Sequence, residues 1–130
     1  MVNSLLYFKF IVQKGDHMEV VQNAISMTRG DSESITVSCK DVSGLYMPFI
    51  DGDKIYFTVK KSVNDTVKTL QKVVTIFDDG KAIIEIRHDD TKDIECGVYM
   101  YDIQLSKLDG TVTTIIKPSR FVLNNEVTYE

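Results

Sequence analysis

The chain has 130 residues, of which 43% are hydrophobic and 26% charged, with two prolines and seven glycines. That is room for one domain with a core of its own, and ordinary composition for a globular one. A net charge of −4 argues against a nucleic-acid binder, whose affinity rests on lysine and arginine neutralising phosphates.

The N-terminal run Leu5-Leu6-Tyr7-Phe8-Lys9-Phe10-Ile11-Val12 is the longest apolar stretch, and a lysine interrupts it. It falls far short of the ~20 residues of a membrane-spanning helix. A signal peptide is also disfavoured, because no basic region precedes it and no small-residue cleavage site follows. The default is a chain made and kept in the cytoplasm unless something larger carries it out. Read as a strand, the segment places Leu6, Phe8, Phe10 and Val12 on one face and Leu5, Tyr7 and Ile11 on the other. Such a strand is buried on both sides or adds to another sheet, the alternative being an extra strand on the domain's own edge. Residues 1–17 also read as a leader. Lys14-Gly15-Asp16-His17-Met18 can be back-translated into a ribosome-binding sequence followed by ATG, and a vector-derived leader would look the same. The domain proper is expected over residues 18–130.

From Met18 onward the pattern is β. Glu19 to Met27 reads as a first strand, closed by the turn Thr28-Arg29-Gly30-Asp31. Ser32 to Lys40 alternates Ile35, Val37 and Cys39 against Thr36 and Ser38. A loop with Gly44, Pro48 and Gly52 leads into Lys54 to Lys61, where Ile55, Phe57 and Val59 share a face. Ser62 to Thr69 is polar and reads as a loop. Leu70 to Phe77 and Lys81 to Arg87 flank the hairpin turn Asp78-Asp79-Gly80. His88 to Glu95 is a charged connection with room for one helical turn. Gly97 to Ser106 is a long strand with Tyr99, Tyr101, Ile103 and Leu105 on one face. Asp109-Gly110 turns it into Thr111 to Ile116, and Pro118 bends the last piece, Arg120 to Leu123. Seven or eight short strands without an amphipathic helix predict an all-β, immunoglobulin-like antiparallel sandwich, with a small barrel as the alternative.

Asp93-Ile94-Glu95-Cys96-Gly97-Val98-Tyr99-Met100-Tyr101 sharpens that expectation. It resembles the approach to the sixth strand of immunoglobulin domains, where a tyrosine bonds back to the corner backbone. Tyr101 stands where antibody domains carry a cysteine, and the chain has no tryptophan. The expected sandwich is therefore held by packing, without an inter-sheet disulfide.

Other constellations have plain readings. Cys39 and Cys96 have no metal-ligand spacing and read as reduced thiols rather than a disulfide. A catalytic thiol needs a base, and His88 lies in a charged loop where a solvated imidazole is expected. Asp51/Asp53, Asp78/Asp79 and Asp89/Asp90 could be Ca²⁺ ligands, but no EF-hand spacing accompanies them and aspartate is a turn residue in its own right. Arg29-Gly30-Asp31 spells a cell-attachment tripeptide, although Gly-Asp is also common turn chemistry. Lys54, Lys60, Lys61, Lys68, Lys72 and Lys81 could meet an acidic partner, but a solvated face that discourages edge pairing is the better reading. No catalytic residue, metal site or cofactor is expected.

Read from Met27, the chain resembles a phage family. Thr28-Arg29-Gly30-Asp31-Ser32-Glu33-Ser34-Ile35, Asp51-Gly52-Asp53-Lys54-Ile55-Tyr56-Phe57-Thr58-Val59-Lys60-Lys61, and Gly97-Val98-Tyr99-Met100-Tyr101-Asp102-Ile103-Gln104-Leu105 running into Asp109-Gly110-Thr111-Val112 are similar to the N-terminal domain of the baseplate upper protein of phages infecting Gram-positive bacteria, and to related prophage structural proteins. The resemblance implies an immunoglobulin-like, non-enzymatic module of a tail or baseplate, located in the virion and docking other virion proteins. Self-association is a further option, and neither nucleic acid nor membrane is expected as a partner. A surface-exposed adhesive domain that binds glycan or protein is the alternative. Expected contact residues are Phe8, Phe10, Val98, Met100, Val127 and Tyr129.

Overall fold

A computed structural model describes residues 6–7, 19–21, 23–41 and 45–127. Its strands in chain order are β1 (Leu6–Tyr7), β2 (Glu19–Val21), β3 (Ala24–Thr28), β4 (Glu33–Val37), β5 (Lys40–Asp41), β6 (Lys54–Lys60), β7 (Leu70–Val74), β8 (Ala82–Ile86), β9 (Gly97–Ser106) and β10 (Val112–Asn124). One helical turn, α1 (His88–Thr91), sits between β8 and β9.

The strands form a six-stranded sheet, ordered β2-β3-β10-β9-β6-β7, and a two-stranded sheet of β4 and β8, with a separate β1-β5 pair. All pairings are antiparallel except β3 on β10, which is parallel. Period-two burial drives the layering. In β6 the residues Ile55, Phe57 and Val59 are buried, as are Ile35 and Val37 in β4 and Ala82, Ile84 and Ile86 in β8. The inner faces of the two sheets meet in one hydrophobic cluster, to which β3, β9 and β10 add Ile25, Met27, Tyr99, Tyr101, Ile103, Phe121 and Leu123. The fold is an immunoglobulin-like β-sandwich, as the sequence predicts.

The tyrosine corner is present. The Tyr99 hydroxyl donates to the carbonyl of Glu95, and Gly97 takes a φ of 154° at the start of β9. Where an immunoglobulin domain would place its disulfide, the Tyr101 ring lies 5.4 Å from Phe57 and 6.4 Å from Phe121, centroid to centroid. Its hydroxyl donates to the carbonyl of Asn23 at 2.5 Å. Burial pushes the Tyr101 phenol far above its ordinary range. Cys39 and Cys96 are free thiols.

Several local expectations change. The sandwich is not wholly antiparallel, since β3 runs parallel to β10, and Ser32 to Lys40 divides into β4 and β5, which lie in separate sheets. Residues 19–27 are not one strand but a hairpin, with Val21 opposite Ala24 and Asn23 at a φ of 72°. The C-terminal piece is one long strand, whose register shifts around Ile116 bury the adjacent Ile115 and Ile116 and accommodate Pro118. His88 is not simply solvated, because its Nδ1 lies 2.6 Å from the carbonyl of Gly30 and ties α1 to the β3–β4 turn.

Candidate docking surfaces

At one end of the sandwich three loops converge: residues 45–53 before β6, 75–81 between β7 and β8, and 107–111 between β9 and β10. The strand register brings them together, since Lys54 lies opposite Ser106 and Ile55 opposite Val74. Side chains and backbone then lock them. The Phe49 N–H donates to the carbonyl of Gly80 at 2.9 Å, and the Tyr46 hydroxyl to that of Asp79 at 2.5 Å. The Phe49 and Phe77 rings lie 5.4 Å apart. Gly80 is required here, because it takes a φ of 73° and a Cβ would sit 2.4 Å from that of Pro48.

A half-buried ion pair braces the same end. Asp53 is 2% exposed, its carboxylate 3.0 Å from Lys107 Nζ, and it accepts the Ile50 N–H at 3.1 Å. Asp109 caps its own turn by accepting the Thr111 N–H at 2.9 Å, which holds its carboxyl below the usual range. Of the paired aspartates, Asp53 thus makes a turn contact of its own as well as an ion pair. Among the described residues, no group of three or more potential ligands from His, Cys, Asp and Glu is placed to hold a metal ion.

On this braced frame the apolar side chains point outward. Ile76 is 87% and Leu108 85% exposed, and Leu45, Tyr46, Met47 and Ile50 are exposed beside them. A cleft of about 530 Å³ opens between Ile50, Ile76 and Phe77. Exposed Asp51, Asp78, Asp79 and Asp109 stand among these side chains. Lys81 lies 5.9 Å from the centre of the Tyr46 ring. Sequence reasoning treated this region as turns only. The run Leu45-Tyr46-Met47-Pro48-Phe49-Ile50, apolar through a loop, is the signal that could have found it.

The residues expected to make contacts fare differently. Val98 is 54% exposed and Met100 half-buried on the outward face of β9. Val127 is fully exposed at the opposite end from the apolar loops. Across the strands, Val98 faces Val122, and Met100 lies between Arg120 and Lys60. Phe8, Phe10 and Tyr129 lie outside the described residues. On the outward face a shallow cleft of about 320 Å³ is lined by Tyr56, Thr58, Lys60, Lys68, Gln71, Met100, Asp102 and Gln104. There Gln71 donates to Thr58 at 3.0 Å, while burial raises the Asp102 carboxyl against the opposing pull of Lys60.

The lysines do not form one patch. Lys72 pairs with Asp90 at 2.7 Å, Lys61 lies 4.0 Å from Glu95, and Lys60 and Lys68 flank the cleft. Nor is the Arg-Gly-Asp turn free for display. Arg29 Nε lies 3.1 Å from Glu126, and its guanidinium donates to the carbonyl of Ile94 at 3.3 Å.

No family model matches the sequence, and neither does any curated protein. Two solved structures are similar over nearly their whole length. CopC from Methylosinus trichosporium OB3b is 7% identical with a TM-score of 0.47, covering 93% of this chain and 98% of that one. Murine CRIg is 12% identical with a TM-score of 0.39, covering 91% and 98%. Similarity at this level says nothing about function.

Proposed function

We propose that this chain is a non-enzymatic docking module of a phage or prophage tail or baseplate. The observation that carries the docking role is the apolar loop end, where Ile50, Ile76 and Leu108 stand exposed on a frame rigid enough to present them. A rigid apolar projection loses little conformational entropy on docking, so more of its buried area is realised as affinity. Exposed apolar clusters of this kind mark protein contacts. The carboxylates of Asp51, Asp79 and Asp109 favour a partner whose apolar recess is bordered by lysine or arginine. The phage assignment is supported by the sequence resemblance in the Gly-Asp turn and in the strands at 51–61 and 97–112.

Mass spectrometry of purified particles from the induced source strain tests the assignment, with this chain expected at the stoichiometry of a structural protein. Absence from particles that contain the other tail proteins overturns it. The surface is tested with Ile50→Asp/Ile76→Asp. Both positions are exposed, so stability should change by less than about 0.5 kcal/mol per site, while incorporation into particles is lost. Unchanged incorporation removes the loop end as the docking site.

The outward cleft favours a second reading, a glycan-binding adhesive domain. Tyr56 offers an apolar face, and Thr58, Gln71, Asp102 and Gln104 supply donors and acceptors beside it. Saturation-transfer NMR against a saccharide panel, with Asp102→Asn as control, distinguishes this reading from docking alone.

A further inference from the structure

A second hollow, of about 440 Å³, opens at the loop end between the β9–β10 hairpin and the segment before β6. Strand register and one backbone bond shape it. Leu105 and Thr113 stand opposite each other across β9 and β10, and the Met47 N–H donates to the carbonyl of Cys39 at 2.9 Å. Met47, Pro48, Phe49 and Leu105 supply apolar wall, while Asp53, Lys107, Asp109, Thr111 and Thr113 bring polar atoms to it. Ligand sites have this make-up, with volumes of roughly 300–1,000 Å³.

Charge selects the ligand. Among the described residues that line the hollow, two carboxylates meet one ammonium. Lys107 Nζ lies 3.0 Å from Asp53 Oδ1 and 3.1 Å from Oδ2, so that pair is satisfied within the chain. Asp109 is exposed, and its Oδ1 accepts the Thr111 N–H at 2.9 Å. That bond and the nearby Lys107 favour its ionised form. The hollow is left with a surplus of negative charge, and exposed Asp51, Asp78 and Asp79 add to it at the same end. A cation carried on an apolar stem matches both the charge and the walls.

Arginine fits this description better than lysine. Its planar guanidinium reaches a carboxylate through two N–H groups and keeps donors for neighbouring hydroxyls. It is also more weakly hydrated than an ammonium, so it loses less on leaving water.

We propose that this hollow receives an arginine side chain of the docking partner, its stem against Met47, Phe49 and Leu105 and its guanidinium at Asp109, Thr111 and Thr113. The inference rests on the docking reading of the loop end. It adds to the exposed aliphatic side chains a charged anchor that fixes the partner's orientation.

NMR titration of the full-length, isotope-labelled chain at low salt with N-acetyl-arginine methylamide tests the site. Shifts should centre on Leu105, Lys107, Asp109, Thr111 and Thr113. The neutral isostere N-acetyl-citrulline methylamide and the corresponding lysine compound should each bind at least about threefold more weakly. Asp109→Asn keeps an acceptor for the Thr111 amide and removes the charge. It should weaken arginine binding at least about threefold and leave the citrulline compound unaffected. Met47→Lys, at a position 37% exposed, sets a cation at the mouth and should weaken arginine binding as well. Should one variant fail to fold, the other decides. Absence of shifts at these residues, or citrulline or lysine binding as tightly as arginine, overturns the proposal. The source of the arginine is read in particles, where Asp109→Asn should lower incorporation. Unchanged incorporation, with arginine still bound in solution, assigns the hollow to a free compound and overturns the partner's role. The two readings fail separately. A chain present in particles that binds no arginine compound loses the hollow and keeps the docking role, whereas absence of the unmodified chain from particles removes the docking partner itself.

Discussion

Replacing Tyr101 by phenylalanine separates what its ring contributes from what its hydroxyl contributes. The ring contacts to Phe57 and Phe121, at 5.4 and 6.4 Å, survive the change, whereas the hydrogen bond to the Asn23 carbonyl is lost. One such bond is worth about 0.5–1.5 kcal/mol net, so the variant should be less stable by about that amount near neutral pH. Tyr101→Ala, which also empties the ring's place in the core, should cost about 3–5 kcal/mol. The alkaline behaviour follows from burial, which holds the folded phenol protonated well above its ordinary range. An unfolded tyrosine ionises near pH ~10. Above that value the unfolded chain binds fewer protons than the folded one, so stability is full below it and falls as pH rises. One pH unit higher, the loss from this single group reaches about 1.4 kcal/mol. Tyr46 and Tyr99 are also raised by burial, but they are present in both proteins and cancel in the difference. Urea unfolding followed from about pH 8 to about pH 11 should therefore show Tyr101→Phe less stable at first, with the two curves converging near the upper limit. Curves that run parallel throughout would refute the argument, because they would mean that the phenol ionises as readily folded as unfolded.

Other expectations follow from the ion pairs and thiols. Asp53→Asn leaves Lys107 unpaired, but Lys107 is 39% exposed in its side chain and can turn to water. The cost should be about 1–2 kcal/mol, below that of breaking a fully buried pair, and urea midpoints measure it. Burial pushes the Asp90 carboxyl up, yet hydrogen bonds and charge from Lys72 and Arg87 bring it below its usual range. Its stabilisation is present above the ordinary aspartate pKa of about 3.9 and is lost as pH falls further. Asp90→Asn should thus flatten the acid limb of stability while costing less than about 1 kcal/mol at neutral pH. Cys96 is half-buried and Cys39 is 4% exposed. A thiol-reactive dye should label Cys96 in the native protein and Cys39 only on unfolding, and two equal rates would contradict the packing around Cys39.

What was legible in the sequence is what short-range chemistry dictates. Asp78-Asp79-Gly80 and Asp109-Gly110 turn the chain where expected, and Gly97 with Tyr99 locates the corner that orients β9. The hairpin at Asn23 was missed because no glycine marks it, and an asparagine at positive φ does the work instead. Arg29-Gly30-Asp31 reads locally as a turn, but its arginine is held by Glu126, a partner 97 positions away that no local pattern reveals. The loop end is legible only through the apolar run at 45–50. Each of its loops reads separately as a turn, and only the sandwich topology sets Ile50, Ile76 and Leu108 at one end.

That juxtaposition can be weighed against what the turns need. Gly80 supplies the positive φ of its hairpin and packs against Pro48, and the Asp109 carboxylate caps its own turn. Phe49 and Phe77 hold the two neighbouring loops together from the buried side. Ile76 and Leu108 contribute little to any of this, being 87% and 85% exposed. Polar residues at those two positions would leave the turns intact and keep less apolar surface in water. Two large aliphatic side chains standing there, on a frame that hydrogen bonds and a half-buried ion pair hold in place, favour the proposed contact with another surface.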